Sequence, residues 1–163
     1  MIKKIKPKKG QESVWDYPRP PAVEEFKGSI KIVFNKEVIL VTDSSYRVLE
    51  TSHPPTYYLP IDQFKTGVLI ENPKVSMCEY KGVAKYYDIV VEGKVAQQSA
   101  WQYPEAQGNF SCIQRSVAVY AHMMDACFVN DMKVNAQEGS FYGGWITPNI
   151  VGPFKGGSGT WGW

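Results

Sequence analysis

The sequence predicts a mainly β protein, a compact single-domain sandwich or partly open barrel with at most short helices. Two-residue turn signals at Asn35-Lys36, Glu92-Gly93 and Asn130-Asp131 separate runs of apolar and β-branched residues, the pattern of β-hairpins. No segment of 11 or more residues shows the periodicity of an amphipathic helix. The 14 Gly and 11 Pro among 163 residues indicate many turns and irregular segments.

The turn signals and the apolar runs together place the strands and the short helices. The three hairpins and two single strands are predicted at residues 30–34 with 38–41, 86–91 with 94–96, 127–129 with 132–134, 46–50 and 117–120. A short helical turn is expected at residues 60–64, because Pro60 supplies the φ angle of a helix start. A second short helix is expected within residues 105–115.

The two ends of the chain lack these patterns. Residues 1–28 are predicted to form an arm, with regular structure beginning near Ser29, because their prolines favour an extended path over a central strand. Within it, residues 1–11 are expected to be a basic flexible segment, and residues 12–163 a single β-rich domain. The last 25 residues are irregular and carry three Trp, which predicts that they fold back and pack on the sheet.

The charge distribution makes nucleic acid an unlikely partner. The formal net charge is +2, and five lysines lie within residues 1–10, so the remainder carries −3. We therefore interpret the basic segment as a solvated arm, with a polyanion tether as the alternative. Deleting residues 1–10 would test that alternative, which predicts steep salt dependence.

The cysteines and the lengths of the apolar runs predict in which compartment the protein is found. Cys78, Cys112 and Cys127 are odd in number and widely spaced, which indicates free thiols in a reducing, cytoplasmic location. The first residues have charge without a following apolar run, unlike a signal peptide. No run approaches 18 apolar residues, so no membrane span is expected.

Several strings of the chain are distinctive: residues 12–21 (ESVWDYPRPP), 50–60 (ETSHPPTYYLP), 81–82 with 86–88, 100–104, 125–128, 141–145 (FYGGW) and 152–157 (GPFKGG). They resemble the family catalogued as domain of unknown function 427, also labelled nucleotidyltransferase-like. The resemblance covers residues 12–163 and implies a compact β-rich fold in a cytosolic protein of bacterial type. Family members often read Cys-Pro-Trp-Lys-Gly where this chain has Cys78-Glu79-Tyr80-Lys81-Gly82. The label makes nucleotidyltransferase an alternative function, but the chain shows no carboxylate pair beside a Gly-Ser turn.

A candidate acid–base pair lies at the end of one predicted strand. Glu50 and His53 flank a turn held by Pro54 and Pro55, and a stiff loop after a strand fixes a proton-transfer group well. His is suited to this role because its ordinary pKa lies near neutrality. We predict that these two residues handle protons if the protein is an enzyme. The structural alternative is a loop-capping Glu50 and a His53 bonded to backbone.

A second group of residues predicts a pocket for a small planar or anionic ligand. Rings and cations occur in Pro- or Gly-punctuated segments, which lie at sheet ends, and together they suit such a ligand. The predicted ligand-binding residues are Arg19, Tyr57, Tyr58, Lys81, Trp101, Tyr142, Trp145 and Lys155. Arg19 or Lys81 would hold an anionic group. One alternative is that the rings pack the two terminal segments onto the body of the domain. Another is that they form a homodimer surface.

Other chemistry receives less support. Lys155-Gly156-Gly157-Ser158-Gly159 resembles a phosphate loop only in composition, since a Walker A lysine follows its glycines; close backbone passage explains the glycines better. Cys78 precedes Lys81 by three residues, but we interpret it as a small buried residue. The three Cys and two His lack zinc spacing, so no metal is predicted. The sequence does not identify a cofactor.

Overall fold

In the computed structural model, which describes residues 1–139 and 141–163, two antiparallel sheets build the protein. The large sheet has seven strands in the order β2-β5-β6-β10-β9-β8-β7. These strands are β2 (Ala22–Phe26), β5 (Ser45–Leu49), β6 (Thr56–Pro60), β7 (Leu69–Cys78), β8 (Gly82–Val91), β9 (Lys94–Gln102) and β10 (Ser116–Val119).

The small sheet and two short ladders complete the regular structure. The small sheet has the order β12-β11-β3-β4, formed by β3 (Ile30–Phe34), β4 (Glu37–Thr42), β11 (Ala126–Val129) and β12 (Met132–Lys133). The ladders pair β1 (Glu12–Ser13) with β15 (Ile150–Val151), and β13 (Asn135–Ala136) with β14 (Trp145–Ile146). Short 3₁₀ helices span Val14–Asp16, Ile61–Gln63, Gly108–Ile113 and Ala121–Met123. None of the helices in the described residues is long and apolar enough to cross a membrane.

The predicted hairpins and short helices are confirmed. Both residues of each two-residue turn have positive φ, with 49° and 65° at Asn35-Lys36, and 47° and 65° at Asn130-Asp131. Such a turn twists in the sense that two paired strands require. The predicted helical turn after Pro60 and the short helix within residues 105–115 are the 3₁₀ helices Ile61–Gln63 and Gly108–Ile113. The mainly β fold is therefore confirmed, with two sheets and no closed barrel among the described residues.

The main core combines side chains from both sheets. The small sheet contributes Ile32 and Cys127, and the large sheet contributes Leu59, Ile89 and Val117, all at most 1% exposed. Because strand residues alternate between faces, the neighbours of the large-sheet residues point to the opposite side. Two sheets that share one core are the arrangement of a sandwich.

The outer face of the large sheet is also apolar. A second cluster there contains Tyr58, Tyr86, Trp101 and Ala118, which alternate with main-core residues along their strands. Tyr103, Ala106, Phe110 and Ile113, from the connection between β9 and β10, pack on the same cluster. This segment covers part of the outer face, and the uncovered part becomes the candidate site.

Regular structure begins earlier than the sequence predicts. Strand β1 starts at Glu12 and β2 spans Ala22–Phe26, so the expected start near Ser29 is wrong. Pro20 and Pro21 lie immediately before β2, so they remove no hydrogen bond from its pairing with β5. Arg47 of β5, 6% exposed, binds Glu12 at 2.6 Å and the directly opposite Glu24 at 2.7 Å.

The other chain end packs only in part as predicted: Trp145 is buried in the main core and Trp163 packs on Trp15, whereas Trp161 is 91% exposed. The Trp15 ring lies 5.5 Å from the Trp163 ring, and its indole N–H donates to the Pro153 carbonyl. In the basic segment, the Lys4 ammonium lies 5.2 Å from the Trp15 ring, and the Ile5 N–H donates to the Gly152 carbonyl. The two chain ends therefore contact each other beside β1.

Candidate functional site

A cavity of about 430 Å³ opens on the uncovered outer face of the large sheet. Its volume lies in the range of small-molecule sites. Aromatic side chains from β6, β8 and β9 and from adjoining segments form its wall: Tyr58, Tyr86, Trp101, Tyr103, Tyr120 and Tyr142. Burial raises the pKa of the Tyr58 phenol well above its ordinary value and that of Tyr120 to about 12, so these rings present neutral surfaces at physiological pH.

A tight turn after β5 brings Glu50 and His53 to the cavity. The backbone N–H of His53 donates to the backbone carbonyl of Glu50 at 3.0 Å, and Ser52 between them has a φ angle of 72°. Ser52 is fully buried, and its N–H donates to the Val14 carbonyl. Pro54 then restricts the chain as it enters β6. The local sequence therefore holds both side chains on one rigid corner.

Two glycines let another segment approach this corner closely. A Cβ atom on Gly143 would lie 2.1 Å from the Trp101 ring, and one on Gly144 would lie 2.6 Å from both Pro54 and the Gln137 side-chain oxygen. Neither position therefore accepts a larger residue without displacement. The FYGGW string thus places Tyr142 against His53, with ring centroids 4.7 Å apart.

Gln137 is buried behind His53 and contacts its Nδ1 atom. The Gly144 N–H donates to Gln137 Oε1 at 3.1 Å, and Gln137 Nε2 donates to the Lys155 carbonyl at 2.6 Å. These two bonds define the amide orientation, so the 3.2 Å contact from Gln137 Nε2 to His53 Nδ1 is a donated N–H. His53 Nδ1 is therefore an acceptor, and the imidazole is neutral with its proton on Nε2.

The surrounding charges favour the same neutral form. Burial, followed by the charges of Lys155, Arg19 and Lys81, together lower the pKa of His53 to about 4. The opposing carboxylate, Glu50, has Oε2 3.8 Å from His53 Nε2, which is too long for a hydrogen bond. At neutral pH, His53 is thus a hydrogen-bond donor that faces a carboxylate.

Three lysines give the cavity a positive balance. The ammonium groups of Lys74, Lys81 and Lys155 lie 4.5, 5.5 and 5.7 Å from the rings of Tyr86, Tyr103 and Tyr142 respectively. Among the described residues that line the cavity, Glu50 is the single carboxylate. The arrangement can attract an anion, stack a planar group and exchange a proton or hydrogen bond at Glu50. The described residues contain no group of three or more His, Cys, Asp or Glu placed to hold a metal ion.

The model of the domain of unknown function 427 (DUF427) family matches residues 22–130, about two thirds of the chain. The chain belongs to the DUF427 family. No curated protein shows significant similarity to it. The matched part of this DUF427 protein includes Glu50, His53 and Lys81, whereas Gln137, Tyr142 and Lys155 lie beyond it. The description of the family gives no activity.

The structure brings together most of the predicted site residues of this DUF427 protein. Seven line the cavity: Glu50, His53, Tyr58, Lys81, Trp101, Tyr142 and Lys155. Arg19 lies beside it, with its Nε atom 3.7 Å from Glu50 Oε2 and its guanidinium donating to the Thr51 carbonyl. Arg19 therefore contacts a cavity-lining residue, Glu50, and is not itself part of the cavity wall.

Tyr57 and Trp145 do not line the cavity. Both belong to the main core, with rings 5.2 Å apart and exposures of 3% and 1%. Tyr57 precedes Tyr58 on β6, and alternation turns it to the opposite face. The Trp145 indole donates to the Val119 carbonyl, which fixes the ring inside the sandwich. Their expected contact with a ligand is not supported by this geometry.

Several cavity residues are absent from the sequence-based prediction. Tyr86 on β8 and Lys74 on β7 follow from the strand alternation only once the pairing of these strands is known. Gln137 lies in a segment without a recognisable motif, and only the fold shows its contact with His53. The Gly-rich stretch has the predicted steric role, although against residues 137–138: a Cβ on Gly156 would lie 2.2 Å from the Glu138 carbonyl oxygen.

Proposed function

We propose that this DUF427 domain binds a small ligand that carries a planar group and an anionic group. The observation that supports this most is the aromatic-walled cavity that Lys81, Lys155 and His53 line, with Arg19 beside it at Glu50. Lysines that line a partly desolvated cavity attract an anion more strongly than lysines in water do. The rings provide flat apolar surface for the planar part.

Each residue has a distinct part in this proposal. Lys81 and Lys155 face the anionic group, and Tyr58, Trp101 and Tyr142 contact the planar part. Glu50 accepts a proton or hydrogen bond from the ligand, and His53 donates one.

Thermal unfolding with matched probes tests the proposal. Phenyl phosphate and benzoate should raise the melting temperature in a saturable way, whereas the neutral probes benzamide and methyl benzoate should not. At a ligand concentration of 100 Kd the stabilisation is about 2.7 kcal/mol, which corresponds to a shift of roughly 5–10 °C for a domain of this size. Equal shifts with the neutral probes, or none with either anion up to saturating concentrations, would contradict the proposal.

Paired lysine variants localise the binding. The double variant Lys81→Ala, Lys155→Ala should lose most of the anion-dependent shift, as measured also by titration calorimetry. Lys133→Ala is the matched control, because Lys133 is exposed on β12 of the small sheet and does not line the cavity. If the double variant binds phenyl phosphate like the control, the cavity is not the binding site.

The homodimer alternative receives less support from the chain ends. Trp145 is buried in the main core, and Trp15 and Trp163 pack against each other. Phe141 and Trp161 remain 80% and 91% exposed. Sedimentation of the wild-type protein separates the two functions, because a monomer that binds phenyl phosphate is expected only from the ligand-binding proposal.

A further inference from the structure

We infer that Gln137 is a positioning residue that holds His53 as an Nε2–H donor opposite Glu50, so that the two side chains clasp one hydroxyl group of the ligand. This inference rests on the proposed function, and it specifies which chemical group the ligand presents beside its anion. It follows from the hydrogen-bond pattern around Gln137 and from the gap between His53 and Glu50.

Gln137 has little freedom to adopt another arrangement. It is 3% exposed, and its amide makes three hydrogen bonds, with Gly144, Lys155 and His53. Reversing the amide would face its oxygen to the Lys155 carbonyl and its N–H to the Gly144 N–H, and both contacts would be repulsive. Reversal would also leave buried polar groups without partners, so the observed orientation is strongly preferred.

One oxygen atom can bridge His53 and Glu50. The 3.8 Å between His53 Nε2 and Glu50 Oε2 is too long for a direct hydrogen bond, and an oxygen to one side of the line that joins them can lie about 2.8 Å from both atoms. That oxygen must accept a hydrogen bond from His53 Nε2–H and donate one to the Glu50 carboxylate. A hydroxyl does both, whereas a carbonyl or ether has no proton to donate and an ammonium has no lone pair to accept.

The charges around His53 fit this assignment. Lys155, Arg19 and Lys81 oppose a second proton on the ring, the Glu50 carboxylate favours a proton on the Nε2 atom that it faces, and the Tyr142 ring packs against the imidazole. The three cations also keep the anionic part of the ligand close to the hydroxyl. The ligand class is therefore a hydroxylated anion with a planar group.

The first test needs no ligand. The chain has two histidines, so ¹⁵N-resolved NMR spectra of the His122→Asn variant report His53 alone. We expect the neutral Nε2–H tautomer with an unprotonated Nδ1 from pH 7.5 down to pH 5.5. Gln137→Glu places a carboxylate against Nδ1 and should raise the pKa of His53 by about 1–2 pH units, whereas Gln97→Glu, on an exposed part of β9, should leave it unchanged.

A second variant covers the case in which Gln137→Glu does not fold. Gln137→Met removes the donor without adding charge, and it should allow both neutral tautomers to be populated. A wild-type His53 with its proton on Nδ1, or an unchanged tautomer in Gln137→Met, would overturn the positioning role of Gln137.

The second test compares benzoate with its three monohydroxy isomers by titration calorimetry. A hydrogen bond to a charged group is worth about 1.5–3 kcal/mol, so at least one isomer should bind about tenfold or more tightly than benzoate. That advantage should disappear in Glu50→Gln and in His53→Phe. If benzoate and all isomers bind equally, the inferred hydroxyl contact is wrong, while the proposed anion site is still supported. If none of them binds and phenyl phosphate also fails to bind, the proposed function is wrong. The NMR result decides the role of Gln137 separately.

Discussion

Protonation of His53 should make the stability of this protein depend on pH in a predictable window. The folded state holds the pKa of His53 at about 4, below its ordinary value of 6.5. Between these values the unfolded chain binds a proton that the folded protein does not, so stability falls as pH falls. The stabilisation is fully present above pH 6.5 and is lost progressively down to pH 4.

The magnitude follows from the two pKa values. Linkage gives a loss of about 2 kcal/mol between pH 7.5 and pH 5, and about 3 kcal/mol by pH 4. The side chain is 13% exposed, so solvent screening is limited. The pKa values of Glu12 and Asp125 are lowered, so these groups change the free energy of unfolding mainly below their ordinary pKa values of 4.5 and 3.8. The change in stability above pH 5 is therefore assigned to His53.

Urea unfolding at pH 7.5 and pH 5 measures this loss. His53→Asn keeps an acceptor near the Nδ1 position and cannot gain the proton, so its stability should change about 2 kcal/mol less than that of the wild type over the same interval. His122→Asn is the matched control, because His122 is exposed. If the wild type and His53→Asn lose stability in parallel between these pH values, the cations and burial do not suppress the charge on His53, and our account of the site is wrong.

Two further substitutions probe the contacts that support the site. Arg47→Met should lower the free energy of unfolding by roughly 2 kcal/mol, because it removes a buried guanidinium from two half-exposed carboxylates. Arg115→Met is the control: the Arg115 side chain is 81% exposed, so this change should alter stability by less than about 0.5 kcal/mol. Gly143→Ala should cost about 2 kcal/mol or more and alter the near-ultraviolet circular dichroism of Trp101, because its Cβ would lie 2.1 Å from that ring. Gly162→Ala, which meets nothing within 4 Å, should leave both signals unchanged, and a neutral Gly143→Ala would refute the close-approach explanation.

The hairpins were predictable from sequence because their determinants are local. The turn at Asn35-Lys36 needs residues that tolerate positive φ, and the flanking alternation fixes the register. Strand β7 is different: it lies at a sheet edge, carries Pro73 and Lys74, and is bulged opposite β8. Its side chains are largely exposed, so the sequence contains little apolar pattern to indicate a strand.

The candidate site was partly predictable for a related reason. Pro- and Gly-punctuated strings pointed to Glu50, His53, Tyr142 and Lys155, and chain folding brings these together. Tyr57, which we predicted to bind the ligand, lies in the main core instead, because both faces of the large sheet bury aromatic residues. When both faces are apolar, alternation predicts that neighbours diverge but not which one reaches a cavity.

The site depends on chain segments that the family match does not include. The matched residues 22–130 supply Glu50, His53 and Lys81. The donor to His53 Nδ1 comes from residue 137, and the cation that lowers the pKa of His53 most comes from residue 155. Both segments are tied to the corner that carries His53: the Lys155 N–H donates to the Ser52 carbonyl, and the Trp145 N–H donates to the Pro55 carbonyl. Removal of residues 137–163 would therefore leave the carboxylate and the imidazole in the chain but take away the contact that sets the tautomer. It follows that the charge state of His53 is a property of the complete fold and not of the matched region alone.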